Sequence, residues 1–134
     1  MTGVQTCALP IYRLLQALGR RSVRRHGPDG VHADEKLVLP RLRLEIIRGL
    51  AFVTGGRTIR VATHVSRRWR GLPVGSPEGW AVAYALLGRE AKSERLLGWL
   101  ERRGADAARV DELLAEPLPA GLAGRLRRLI RRSP

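Results

Sequence analysis

Over most of the chain apolar residues recur every three to four positions, a rhythm that predicts helices separated by turns marked with Gly and Pro. Leu14, Leu15, Leu18 and Val23, set among arginines, predict a short amphipathic helix over residues 12–25, ended by His26-Gly27-Pro28-Asp29-Gly30. Over residues 40–54, Leu42, Ile46, Ile47, Leu50 and Val53 repeat at helical spacing, with Arg41, Glu45 and Arg48 on the opposite face. Pro40 suits a first helical turn, where its missing N–H costs nothing, and Gly55-Gly56 supplies a left-handed stop. Residues 58–62 are β-branched enough to be extended, yet too short and unpartnered to imply a sheet. Residues 65–72 read as one more helix or turn that carries Arg67, Arg68 and Arg70 around Trp69 and stops at Pro73.

Start signals sharpen in the second half. Ser76 as N-cap, Pro77 at the first helical position and Glu78 in the first turn open a helix with Trp80, Ala83, Tyr84 and Leu87 on its inner face. After Gly88 a second helix over 90–103 buries Leu96, Leu97 and Leu100 and ends at Gly104, so the two form a helical hairpin. Asp106 caps a third, with Ala107, Val110, Leu113 and Leu114 inward. Pro117 and Pro119 then separate it from a last helix over 120–132, built on Leu122, Leu126, Leu129 and Ile130. The expected fold is all-α, a small bundle of about six helices. Residues 12–36 form a short helix and a Gly/Pro linker, and residues 37–134 the helical domain.

Composition narrows the class. With 134 residues, 44% apolar and 28% charged, the chain fits one globular domain. No apolar run nears the roughly 20 residues that span a bilayer, so no membrane association is expected. The single cysteine, Cys7, excludes an internal disulfide and any multi-thiolate metal site, and a cytoplasmic location follows as the default. The formal charge is +13, and 23 of the 25 basic residues are arginine. The excess sits in residues 1–75 and 117–134, with residues 76–116 nearly neutral. A surface of this sign attracts polyanions such as nucleic acid, although GC-rich coding also favours arginine over lysine.

Few residues offer chemistry. His26, Asp29, His32, Asp34 and Glu35 cluster in sequence, but their spacing matches no zinc class and a solvated loop accounts for them. His64 reads as a surface or hydrogen-bonded histidine. Gly55-Gly56-Arg57 lacks the spacing of a phosphate-binding loop. Nucleic-acid binding rests on Arg67, Arg68 and Arg70 beside Trp69 and on the arginine-rich last helix, whereas Trp80, Tyr84 and Trp99 read as core. Six aromatic rings leave few stacking platforms for a single strand, and helix-turn-helix readout stays open.

Two stretches carry resemblances. Residues 1–11, MTGVQTCALPI, resemble the in-frame translation of a sequencing-library adapter, which implies that the natural front of the chain is replaced. The strings RGLAFVTGG (48–56) and HVSRRWRGLP (64–73), with the upstream His26-Gly27-Pro28-Asp29, resemble the carboxy-terminal helical domain of aminoglycoside-type nucleotidyltransferases. That resemblance implies a truncated acceptor-binding domain. Its missing catalytic partner domain would use magnesium and a nucleoside triphosphate to transfer a nucleoside monophosphate to a hydroxyl of a small-molecule acceptor. The piece itself would hold no cofactor and no catalytic residue. By charge logic alone, Asp34, Glu35 and Glu45 are the acidic groups available to hold an acceptor, and the net positive charge opposes a polycationic one.

Overall fold

The computed structural model describes residues 22–23, 31–32, 35–39 and 44–131. Among the described residues eight strands precede four helices. The strands are β1 (Ser22–Val23), β2 (Val31–His32), β3 (Glu35–Leu39), β4 (Leu44–Arg48), β5 (Ala51–Thr54), β6 (Arg57–Arg60), β7 (Val65–Trp69) and β8 (Leu72–Gly75). The helices are α1 (Pro77–Leu86), α2 (Glu90–Arg103), α3 (Ala107–Leu114) and α4 (Ala120–Arg131). The strands form three antiparallel sheets of order β1-β3-β4, β2-β5-β6 and β7-β8. The chain is therefore mixed α/β, and the expectation of an all-α bundle of six helices is wrong for the described residues before Ser76.

Each misread segment has an identifiable cause. The helix expected over residues 40–54 is replaced by β4 and β5, because Leu42, Leu44 and Ile46 alternate with Arg41, Arg43 and Glu45 at period two as well as fitting a helical stripe. Gly55 and Gly56 are not a helix stop. Their φ values of 55° and 73° make the two-residue turn of a hairpin that pairs Thr54 with Arg57 and Phe52 with Ile59. Two successive positive φ angles match the right-handed twist of flanking strands, and glycine takes them without strain. Of residues 58–62, read as an unpartnered connector, 58–60 thus have their partner in β5. The expected helix or turn over 65–72 is likewise a hairpin. Of the helix expected over 12–25, Ser22 and Val23 form β1, and the remainder lies outside the described residues, as do residues 1–11.

The helices lie where local signals place them. The Ser76 hydroxyl accepts the Gly79 N–H at 3.3 Å ahead of Pro77, and Asp106 Oδ1 accepts the N–H groups of Ala108 and Arg109 at 3.0 and 3.3 Å. These caps satisfy donors that a helix start leaves without an intrahelical partner. Helices α1 and α2 pack as a hairpin, pinned by Ser93 Oγ donating to the Ala81 carbonyl at 2.8 Å. One core joins strands and helices: Phe52 and Val61 pack with Ala81, Val82, Leu97, Leu100, Val110, Leu113, Leu126 and Leu129. Glu78, buried in the first turn of α1, accepts the Asp106 N–H at 2.9 Å and so ties the start of α1 to the start of α3. Arg125 reaches from α4 to α2, donating to both Glu94 oxygens at 3.0 Å and to Glu101 at 3.2 Å.

Candidate functional site

The β7-β8 hairpin stands out from the body, with every residue from Ser66 to Pro73 exposed. Its register pairs Arg67 with Val74, Arg68 with Pro73 and Trp69 with Leu72, and the irregularity between Val65 and Arg67 leaves Ser66 as an extra residue. Strand alternation then puts Arg67, Trp69, Leu72 and Val74 on one face of the ribbon, with Arg68 and Pro73 on the other. Trp69 is 55% exposed and Leu72 61%. At the tip, Arg70 takes φ 48° ahead of Gly71 at φ 77°. Arg70 is the one non-glycine residue with positive φ among the described residues, in a turn that ordinarily uses Asn or Asp there. Its guanidinium carbon lies 4.8 Å from the centroid of the Trp69 ring, and Arg68 Nη1 donates to the Gly71 carbonyl at 3.0 Å. A cation over an indole face is attractive, and its own peptide strain is the cost of putting it there.

The base of the ribbon is fixed to α3. The Ser76 N–H donates to the His64 carbonyl at 2.7 Å, closing the ladder below Gly75. The His64 side chain, 18% exposed, places Nε2 2.6 Å from Glu112 Oε2, while Arg109 Nη1 lies 3.3 Å from the same oxygen and 3.0 Å from Nε2. Arginine can only donate and a carboxylate only accept, so Arg109 donates to Glu112, while Nε2 donates to Glu112 in one ring tautomer and accepts from Arg109 in the other. One turn further on, Glu116 accepts the Arg60 N–H at 2.9 Å at the end of β6. His64 is therefore a hydrogen-bonded structural residue, as its sequence context suggests.

Charge is unevenly spread over this frame. Between Ile46 and Pro77 the chain has Arg48, Arg57, Arg60, Arg67, Arg68 and Arg70, and no Asp or Glu. No carboxylate among the described residues pairs with Arg57, Arg67, Arg68 or Arg70. Carboxylates are concentrated on α2 and α3, where Glu94, Glu101 and Glu112 are already engaged with arginines.

The acidic acceptor set is placed only in part. Asp34 lies outside the described residues, as do His26 and Asp29. Glu35 is opposite Arg48 in the β3-β4 ladder and Glu45 opposite Val38, which puts positions 35 and 45 on opposite faces of that sheet. Residues 48–56 and 64–73, the strings that resemble the nucleotidyltransferase domain, fold as strands and hairpin turns, so the helix ending at Thr54-Gly55 does not exist. Arg67, Arg68 and Arg70, by contrast, are brought together on one projecting ribbon. No group of three His, Cys, Asp or Glu side chains able to hold a metal ion occurs among the described residues, and no helix there is long and apolar enough to cross a membrane.

Two aromatic residues read as core are in fact on the surface: Trp80 is 39% exposed and Trp99 44%. The missed signal is the neighbourhood of Trp99, which has Arg95, Arg102 and Arg103 at the helical offsets of three and four residues. No protein-family profile, no curated protein and no solved structure matches this chain.

Proposed function

We propose that this protein binds nucleic acid, with the β7-β8 ribbon as its principal contact. The observation that carries the reading is the set of Arg67, Arg68 and Arg70, unpaired with any described carboxylate and carried with the exposed Trp69 on one projecting hairpin. Phosphates along a backbone are the polyanion such a cluster suits, and each arginine–phosphate contact releases condensed counterions. The strained tip supports the same reading, because Arg70 gives up backbone comfort to hold a cation at the exposed turn of the hairpin. A reducing cytoplasmic compartment accords with this role. An acceptor-binding role inside a larger nucleotidyltransferase rests on the sequence strings alone, and no arrangement of side chains here favours it.

The test is a salt titration of binding to labelled oligonucleotides, read by fluorescence anisotropy. Replacing Arg67, Arg68 and Arg70 with alanine should weaken binding and lower the slope of log K against log salt by about 0.7–0.9 per lost contact. The same charge removed from α4, as Arg127, Arg128 and Arg131 to alanine, should matter far less. Equal losses from both triple variants would mean that net charge, and not the ribbon, does the binding.

A further inference from the structure

The helix α2 divides its charges between two sides. Glu90, Glu94 and Glu101 lie on one flank of its buried stripe of Ser93, Leu97 and Leu100, and two of them are engaged by Arg125 of α4. Lys92, Arg95, Arg102 and Arg103 lie round the outward face, with Trp99 in their midst, and no described carboxylate pairs with any of them. A helix that merely needed solubility would interleave the signs and gain from pairs four residues apart. This one keeps its cations clear of carboxylates and around an indole.

That face joins the ribbon through a series of aromatic neighbours. Trp80 lies directly over Gly75 at the end of β8; a Cβ on Gly75 would fall 2.5 Å from the indole nitrogen. In β8, position 75 shares a face with Pro73, and hence with Arg68 across the ladder. The Trp80 and Tyr84 rings are 5.6 Å apart and tilted by 36°, and Lys92 Nζ sits 5.4 Å from the Tyr84 centroid. Lys92 and Trp99 are seven residues apart, two turns along one side of α2, roughly 10 Å. The chain has only three tryptophans, Trp69, Trp80 and Trp99, and each is more than a third exposed.

We propose that the ligand is a single-stranded nucleic acid, laid from the base of the ribbon across α1 and along α2. Its bases stack on Trp80 and Trp99, and its phosphates pair with Arg68, Lys92, Arg95, Arg102 and Arg103. Exposed rings flanked by unpaired cations match unstacked bases joined by phosphates. In a duplex the base faces are already occupied, so the indole faces would have nothing to take. This inference rests on the nucleic-acid reading above and specifies the form of the ligand.

The experiment uses the full chain, a labelled oligothymidylate and a labelled duplex of equal length, with anisotropy as readout and a thermal melt to verify folding of each variant. Wild-type protein should prefer the single strand. Trp99→Ala should weaken single-strand binding roughly 5- to 150-fold, the span expected for loss of one base–aromatic stack, and leave duplex binding unchanged. Trp99→Phe, which keeps a ring, should restore most of the loss. Unchanged single-strand affinity in Trp99→Ala, or duplex preference in the wild type, overturns the proposal. If the ribbon triple variant still loses affinity for both ligands in that case, the nucleic-acid reading stands and only the α2 track falls. If neither oligonucleotide binds at low salt, both readings fall.

Discussion

The tip of the β7-β8 hairpin offers a test in which stability and binding should move in opposite directions. Arg70 has φ 48°, in the left-handed region, where a side chain other than Gly, Asn or Asp costs about 1–2 kcal/mol. Against that strain stands its contact with the Trp69 ring at 4.8 Å, worth about 0.5–1 kcal/mol at an exposed site. Arg70→Asn removes the contact but relieves most of the strain, since Asn-Gly is the favoured pair for this turn. Arg70→Ala removes the contact and keeps the strain. The Asn variant should therefore exceed the Ala variant by about 1 kcal/mol, a separation of roughly 3–5 °C in Tm for a chain of this size. Thermal unfolding followed by circular dichroism measures it. Both variants should lose oligonucleotide affinity to the same degree, because both lose the cation. An Ala variant as stable as the Asn variant would refute the strain argument. An affinity difference between the two would show that turn geometry, and not charge, governs binding.

Two further predictions concern the frame that holds the ribbon. Glu78 is 4% exposed and its Oε1 accepts the Asp106 N–H, so Glu78→Ala should cost about 1–3 kcal/mol by stranding that donor. Glu78→Gln retains an acceptor and should cost distinctly less in urea unfolding, and equal losses would deny the bond its role. Leu126, fully buried in the shared core, should lose about 2–5 kcal/mol on replacement by alanine. Leu72→Ala at the exposed tip should change stability by less than about 0.5 kcal/mol, and a larger effect would mean that the ribbon is packed against the body.

Half of this architecture was legible and half was not, and the dividing line is Ser76. Ser76-Pro77-Glu78, Gly104, Asp106 and the stripes of Leu97, Leu100, Val110, Leu113, Leu126 and Leu129 all place helices correctly. Each of those signals acts within a few residues of itself. In the strand half, residues 44–54 and 65–72 carry patterns that read as helical although they pair as strands. The candidate site divides along the same line. Arg67, Arg68, Trp69 and Arg70 were visible as a run, but a run of arginines does not say whether it lies on a helix or along a ribbon. The exposure of Trp99 is signalled only by Arg95, Arg102 and Arg103 around it, and that of Trp80 by nothing local, because an indole at a helical position looks the same in sequence whether it faces core or water.

The sequence by itself determined the net positive charge, the positions of the four helices that follow Ser76, and the stretch from Ile46 to Pro77 that holds arginines and no carboxylate. Only the tertiary structure decided that residues 44–48 and 51–54 are strands, that Gly55-Gly56 turns a hairpin, and that Glu35 and Glu45 fall on opposite faces. A helix satisfies its backbone hydrogen bonds four residues away, so its code is local. A strand finds its partner elsewhere in the chain, and one apolar pattern can serve either until that partner is in place.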